Sequence, residues 1–182
     1  MYCSQFITRY GAGIVYAADH GVVKVEIPDL SCNQTTAPVT LPEFESSETT
    51  VQVAHMLERY FQGECIDFSS IPVLFDAMTP FRRTVLKVIR TLGFGEICSY
   101  GEVAHMCGSP HAARAVGGAL ASNPVPIIIP CHRVVASDGR LTGFSAPGGE
   151  STKKALLQME GVEFKGVLAI RHHAVIHRTS HQ

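Results

Sequence analysis

The segment that most limits how this chain can fold is 123–135, which reads NPVPIIIPCHRVV. Pro130 interrupts regular pairing in it, because proline lacks a backbone N–H and has a fixed φ. The apolar run 125–129 is therefore predicted to form a buried strand or extended segment that ends beside Pro130. Cys131 and His132 follow at that end, so a thiol and a base are neighbours where regular structure stops.

Cys131 is the candidate nucleophile, because a cysteine attacks carbon as the thiolate and a nearby base or cation favours that form. The sequence contains 6 cysteines and no C-x-x-C pair. We expect the thiols to be free in a reducing compartment, where most cysteines behave as small core residues.

The first part of the chain has the pattern of a small α/β domain. Two β-branched runs at 14–18 and 22–27 flank a short turn and predict a β-hairpin. The segment 28–50 is rich in Pro, Ser, Thr and Glu and is predicted to be irregular. A helical apolar period covers 51–61, and 67–76 is predicted to be extended.

The second part of the chain is predicted to be mostly helical. One helix should begin at Pro80 with Thr79 as its cap. Ser99 should cap a short helix over 100–106, and a Gly-containing turn should lead into another helix over 111–121. Two short helices around such a turn indicate a helix-turn-helix.

The helix 111–121 carries almost only small side chains. Its adjacent glycines, Gly117 and Gly118, cost about 1 kcal/mol each relative to alanine. They favour a surface that another molecule approaches closely, although tight packing against the protein's own core is the alternative. Arg114 is the one long charged side chain in the run, and it is placed to reach into a nucleic-acid groove.

Charge is divided unevenly along the chain. Residues 1–75 carry three basic and nine acidic side chains, whereas 76–182 carry twelve basic and seven acidic ones. The resulting net charges of −6 and +5 favour a polyanion facing the second part. Chance clustering on solvated faces is the alternative interpretation.

From about residue 79 to 161 the chain resembles the O-6-alkylguanine-DNA alkyltransferases, also called methylated-DNA–protein-cysteine methyltransferases. A weaker likeness extends back to 51–62. The resemblance is carried by the following strings: SYGEVA at 99–104, AARAVGG at 112–118, NP at 123–124, PCHRVV at 130–135, GFS at 143–145 and MEG at 159–161.

The resemblance implies DNA repair by direct reversal of damage. An alkyl group, such as methyl, would move irreversibly from O6 of guanine to Cys131, once per protein molecule. The expected partner is double-stranded DNA containing alkylated guanine, whose damaged nucleotide must flip out of the duplex. No cofactor is expected.

The resemblance also implies roles for individual residues. Cys131 would accept the alkyl group, and His132 would deprotonate it through a water. Glu160 would orient that histidine, while Asn123 would brace the active-site turn. Tyr100 would rotate the phosphate and donate a proton to the leaving base.

The remaining roles concern DNA and the flipped base. Arg114 would fill the gap left by the guanine. Tyr100 would also contact the DNA, and four small residues would allow close approach to the minor groove: Ala112, Ala113, Gly117 and Gly118. Val134 and Ser145 would hold the guanine edge through backbone groups. Phe144 stands where tyrosine is frequent, so a side-chain hydrogen bond would be absent there.

The resemblance further implies an α/β (α+β) fold. A ribonuclease-H-like α/β domain (1–76) would precede a mostly helical, winged-helix-like domain (77–170) and a tail (171–182). The longest apolar runs fall short of the roughly 20 residues that span a bilayer. The N-terminus also lacks a signal-peptide pattern. We expect a monomer in the cytoplasm, or in the nucleus of a eukaryote, with no membrane partner.

We expect no metal. Some relatives bind a structural zinc in the first half, and Cys3, His20 and Cys32 would supply partial ligands, but they do not complete a four-ligand set. The tail holds four histidines that favour a solvated or frayed terminus over a metal site: His172, His173, His177 and His181.

Two rival functions use part of the same sequence. A helix-turn-helix regulator would explain 99–121 but would leave the PCHRVV string without a role. A thiol hydrolase would use Cys131 and His132, but it would turn over. Alkyltransferase-like damage sensors lack the cysteine, so the presence of Cys131 argues against that class.

Overall fold

A computed structural model describes residues 1–31, 44–75 and 78–170. Within those ranges the fold is mixed α/β, with small sheets and five helices. The strands are β1 Tyr2–Thr8, β2 Gly11–Ala18, β3 Gly21–Glu26, β4 Cys98–Ser99, β5 Val134–Val135, β6 Phe164–Lys165 and β7 Leu168–Ala169. The helices are α1 Glu48–Phe61, α2 Pro80–Ile89, α3 Tyr100–Met106, α4 Ala113–Ala121 and α5 Gly149–Met159.

The first part of the chain forms an antiparallel sheet of order β1-β2-β3 against which α1 packs. The predicted hairpin is confirmed as β2 and β3, whereas β1 was not predicted. Gly13 in β2 lies over the Phe6 ring, and a Cβ at Gly13 would overlap that ring. The predicted helix at 51–61 is confirmed, and it begins earlier because Ser47 and Thr50 form a capping box.

In the second part of the chain, the predicted helix starts are confirmed where a capping residue determines them. Helix α2 begins at Pro80 with Thr79 as its cap, and α3 begins after Ser99, which forms a capping box with Glu102. Helix α4, however, starts at Ala113 rather than at residue 111. The backbone N–H of Ala112 bonds to Ser109 O, which closes a turn before the helix begins.

The prediction of a strand or extended segment at 125–129 is wrong. The segment is a tight buried turn in which Ile129 N donates to Val125 O at 3.0 Å. Ile127 has a φ of 73°, which a β-branched residue rarely adopts and which costs about 1–3 kcal/mol. The flanking prolines leave few N–H groups for sheet pairing, so the chain folds back on itself.

The expected extended segment at 67–76 forms only one isolated bridge, between Val73 and Val22. The rest of the segment is irregular as far as it is described, and Asp76 lies outside the described residues. Pro72 interrupts strand pairing in this segment, because proline has no backbone N–H to donate. Its carbonyl accepts the N–H of Val22 at 2.8 Å, so the segment still lies along β3.

The larger of two apolar clusters among the described residues extends across both parts of the chain, from Phe6 and Leu57 to Val116 and Ile129. Strands β4 and β5 pair in parallel, which places Val134 beside Cys98 and fixes the end of the 123–135 segment. None of the helices in the described ranges is long and apolar enough to cross a membrane.

Candidate active site

Cys131 opens a short 3-10 turn, Cys131–Arg133, and its side chain is buried. The amide of Asn123 contacts Cys131 Sγ at 3.2 Å and donates to Ile129 O at 2.8 Å. The Oδ1 of Asn123 accepts the N–H of Val125 at 3.1 Å. One side chain therefore ties together the 125–129 turn and the thiol that follows it.

His132 and Glu160 form a fully buried pair, with 2.8 Å between Nε2 and Oε1. Arg133 binds the same carboxylate through Nε and Nη2, both at 2.8 Å, and Gly95 N donates to Oε2 at 3.1 Å. The Nδ1 atom of His132 is buried and has no hydrogen-bond partner among the described residues. Glu160 thus fixes the histidine ring through one nitrogen and leaves the other available.

Tyr60 of α1 completes this network and was not found from the sequence. Its hydroxyl donates to Glu160 Oε1 at 2.7 Å and lies 3.4 Å from His132 Nε2. In the sequence Tyr60 is one of several apolar positions on the buried face of a helix, which is why nothing marked it. The first part of the chain therefore contributes directly to the buried network.

Burial and neighbouring charges together set the protonation of these groups. It raises the pKa of the Cys131 thiol, although the Asn123 contact and the charge of Lys153 act in the opposite direction. Burial also lowers the pKa of His132 despite the Glu160 carboxylate. For Glu160, burial alone would raise the pKa, but His132 and Arg133 together hold it well below its usual range. The resting site therefore has a protonated thiol, a neutral histidine and an ionised carboxylate.

Lys153 of α5 is a second residue that the sequence analysis missed. Its ammonium group is buried and donates to Val134 O at 2.6 Å and Thr142 O at 2.7 Å. Tyr100 also donates to Thr142 O, at 2.8 Å, and its ring lies 5.7 Å from Lys153 Nζ. Burial lowers the pKa of Lys153 to about 8. The available signal was its position on the apolar face of α5 with Leu156 and Leu157.

A cavity of about 440 Å³ opens beside Cys131. Its volume falls in the range of small-molecule sites, roughly 300–1,000 Å³. Asn123, Phe144 and Ser145 line it together with residues of β2 and β3. Val134 is not among the lining residues; it is buried, and its carbonyl accepts a hydrogen bond from Lys153.

Helix α4 presents a separate, more exposed face. Arg114 and Gly118 are exposed, and Ala112, Ala113 and Gly117 are partly buried. A Cβ at Gly117 would make an ordinary 3.9 Å contact with Tyr100, and one at Gly118 would meet nothing within 4 Å among the described atoms. The fold itself therefore does not require these two glycines, which weakens the alternative of tight internal packing.

In the described ranges, no three His, Cys, Asp or Glu side chains come together as a metal site. Cys32 and the tail histidines lie outside the described residues. Among the described residues, Cys65, Cys107 and Cys131 are free thiols.

Comparison with known proteins identifies the family. Residues 80–162 match the family model of the 6-O-methylguanine DNA methyltransferase DNA-binding domain. A methylated-DNA–protein-cysteine methyltransferase of Haemophilus influenzae is 46% identical over 107 residues, which cover 59% of this chain and 58% of that protein. The mouse (Mus musculus) methyltransferase is 40% identical over 79% of this chain and 72% of its own length.

The fold agrees with these matches. The structure of Mycobacterium tuberculosis OGT in complex with DNA superposes with a TM-score of 0.72 at 31% identity, covering 88% of this chain and 93% of that one. The aligned part spans little more than half of the Haemophilus protein but most of the mouse protein and of the mycobacterial structure. The likeness thus includes the sheet and α1 as well as the segment around Cys131. This chain belongs to the methylated-DNA–protein-cysteine methyltransferase family.

Proposed function

We propose that this protein repairs DNA by transferring an alkyl group from O6 of guanine to Sγ of Cys131. The observation that carries the proposal is the buried arrangement of Cys131, Asn123 and the His132–Glu160 pair beside a cavity of small-molecule size. The related methyltransferases and the DNA-bound mycobacterial structure support the same activity.

The proton of Cys131 must leave before sulfur attacks carbon, because burial keeps the resting thiol protonated. His132 is suited to take it. Its Nε2 faces Glu160, so a proton on Nε2 leaves the unpartnered Nδ1 as an acceptor. In the proposed step, a water passes the thiol proton to Nδ1, and Glu160 stabilises the imidazolium that forms.

In the transfer itself, the bond between O6 and the alkyl carbon breaks as the carbon–sulfur bond forms. The electron pair of the broken bond goes to the guanine, which takes a proton from the Tyr100 hydroxyl. Lys153 lies beside that hydroxyl and stabilises the negative charge that remains. The thioether product has no carbonyl for water to attack, so the reaction is irreversible and each molecule acts once.

Helix α4 is the proposed DNA-binding element. The target atom is stacked inside the duplex, and flipping it out costs a few kcal/mol. Exposed Arg114 would offset part of that cost by filling the gap. The small residues Ala112, Ala113, Gly117 and Gly118 would allow the minor groove to approach, and the +5 charge of 76–182 would attract phosphates.

We also propose the finer architecture. The meander β1-β2-β3 with α1 is consistent with a ribonuclease-H-like domain over 1–76. The helices α2 to α4 are consistent with a winged-helix-like domain over 77–170, followed by the tail 171–182. We further propose that the protein acts as a monomer, in the cytoplasm or in the nucleus of a eukaryote.

Replacing the proposed nucleophile tests this function. Cys131→Ala should abolish removal of methyl from O6-methylguanine DNA and keep DNA affinity within about twofold, because the thiol contacts only the flipped base. Cys65→Ala, an exposed thiol, is the control and should transfer normally. Demethylation by Cys131→Ala would refute the assignment of the acceptor.

A further inference from the structure

The Tyr60 hydroxyl is held against the Glu160 carboxylate by the packing of its own ring. Three aromatic rings pack edge-on against the Tyr60 ring, with centroid distances of 5.6 Å to Phe61, 6.2 Å to Phe68 and 6.2 Å to Phe94. The residue is fully buried. A ring fixed in this way keeps its hydroxyl at a set position relative to Glu160.

Three donors converge on one oxygen of that carboxylate. Glu160 Oε1 lies 2.7 Å from the Tyr60 hydroxyl, 2.8 Å from His132 Nε2 and 2.8 Å from Arg133 Nη2. Hydrogen bonds to a carboxylate make it a weaker base, so each donor reduces the attraction that remains for the other two. The Tyr60 hydroxyl therefore weakens the hold of Glu160 on the His132 ring.

The Tyr60 hydroxyl is a permanent donor in this network. Burial, and then the charge of Glu160, raise the pKa of Tyr60 well above its ordinary value of 10. Because its proton is given to Oε1, both oxygens that face His132 Nε2 act as acceptors, Oε1 at 2.8 Å and the Tyr60 oxygen at 3.4 Å. The ring proton of neutral His132 then lies on Nε2, and Nδ1 is open.

The other groups around His132 act on its protonation without competing for Oε1 in this way. The charged or titratable groups near the ring are Tyr60, Cys131, Arg133, Lys153 and Glu160. Burial lowers the pKa of His132, Glu160 opposes that effect, and the two cations lower the pKa further. Among these described groups, Glu160 is the one that favours the imidazolium, and Tyr60 acts on Glu160.

We propose that Tyr60 is a positioning residue for the proton transfer from Cys131: by occupying Glu160 Oε1, it keeps His132 neutral at rest, with Nδ1 open to the thiol proton. The inference rests on the proposed function, in which His132 accepts that proton. Without the hydroxyl, the imidazole would bind the carboxylate more strongly and would be protonated at higher pH. A protonated His132 cannot accept the thiol proton, so transfer would slow at acid pH.

Tyr60→Phe removes the hydroxyl and keeps the ring. The rate of methyl transfer from O6-methylguanine duplex DNA, measured in a single turnover with protein in excess, should fall on the acid side as His132 is protonated. In the variant this acid limb should move upward by about half a pH unit or more, which is about a threefold loss of rate at a pH on the limb. Above the limb, the two rates should be similar.

Phe68→Leu is the matched control. It removes one of the rings that pack against Tyr60 but leaves the hydroxyl on the carboxylate. It should lower the midpoint of thermal unfolding and leave the acid limb in place. A purely structural role of Tyr60 would make both variants behave in this way.

A second readout does not depend on transfer. In NMR spectra of the DNA-free protein near neutral pH, the proton on His132 Nε2 should move downfield in Tyr60→Phe, because its hydrogen bond to Oε1 becomes stronger. The phenylalanine ring retains the aromatic ring that surrounds this proton in wild type, so the shift reports the hydrogen bond.

Each outcome decides one question. Absence of methyl transfer by the wild-type protein would refute the proposed function, and the NMR shift would still test the effect of Tyr60 on His132. With transfer present, an acid limb that stays in place, or a Nε2 proton that does not move downfield, would overturn the inference. If Tyr60→Phe does not fold, as judged by circular dichroism, Tyr60→3-fluorotyrosine keeps the hydroxyl as a stronger donor, and its acid limb must move to lower pH.

Discussion

Glu160→Gln should destabilise the protein severely although the two side chains are nearly equal in size. The Glu160 carboxylate accepts from Tyr60, Arg133 and Gly95 and contacts His132 Nε2. A glutamine would turn its NH2 group toward hydrogen-bond donors. It would also leave the guanidinium of Arg133, a buried residue, without a counter-ion. Breaking a buried pair in this way costs about 3–5 kcal/mol. For a chain of this length the midpoint of thermal unfolding should fall by roughly 6–20 °C.

The exposed pair of Arg59 and Glu64 is a matched control. Its N–O distance is 2.6 Å, as short as the buried contacts, but its side chains are 58% and 44% exposed. Glu64→Gln should cost no more than about 1 kcal/mol. Differential scanning calorimetry of the two variants measures the contrast. Equal shifts in the two unfolding midpoints would refute the claim that burial makes the Glu160 network essential.

The same network predicts a dependence on pH. The pKa of Glu160 is lower in the folded protein than its ordinary value of 4.5. Its ionisation therefore stabilises the fold above about pH 4.5, and that contribution is lost as the pH falls further. Glu160→Gln should lose less stability than wild type over this acid range. A parallel decline of both proteins would mean that other carboxylates dominate acid unfolding.

Two further predictions concern Arg114 and Lys153. Arg114→Ala should slow repair of duplex DNA about tenfold or more but leave the reaction with free alkylated guanine nearly unchanged, because the free base needs no flipping. Equal losses of rate on both substrates would mean that Arg114 acts in the chemical step or in folding. The rate of transfer to Cys131 should fall as the pH rises above about 8, because Lys153 loses its charge there. Lys153→Arg should keep that charge and extend the active range to higher pH. A wild-type rate that does not fall above pH about 8 would show that the charge of Lys153 does not assist transfer.

The sequence predicted those features that neighbouring residues determine. The start of α2 follows from Thr79 and that of α3 from Ser99, because each cap acts within one helical turn. The turn at 125–129 could not be predicted, since it depends on the side chain of Asn123 as well as on the prolines. An apolar run alone does not distinguish a buried strand from a buried turn.

The candidate site also combines residues that the sequence indicates with residues that only the packing of distant segments brings together. Cys131 and His132 are adjacent and stand out in the sequence, and the resemblance supplied Glu160. Tyr60 and Glu160, by contrast, are one hundred residues apart, and only the packing of α1 against the second part of the chain brings them together. Lys153 was missed because a lysine on a helix is normally solvated, whereas here two carbonyls and the burial of its stem retain it inside.

The stoichiometry of the reaction tests the proposed chemistry most directly. With O6-methylguanine DNA in large excess, repaired product should reach a plateau at one equivalent of active protein. Mass spectrometry should then find the transferred methyl on the peptide that contains Cys131, because no group in the site can hydrolyse a thioether. Continued turnover beyond one equivalent, with Cys131 unmodified, would contradict the transfer mechanism and favour a thiol hydrolase.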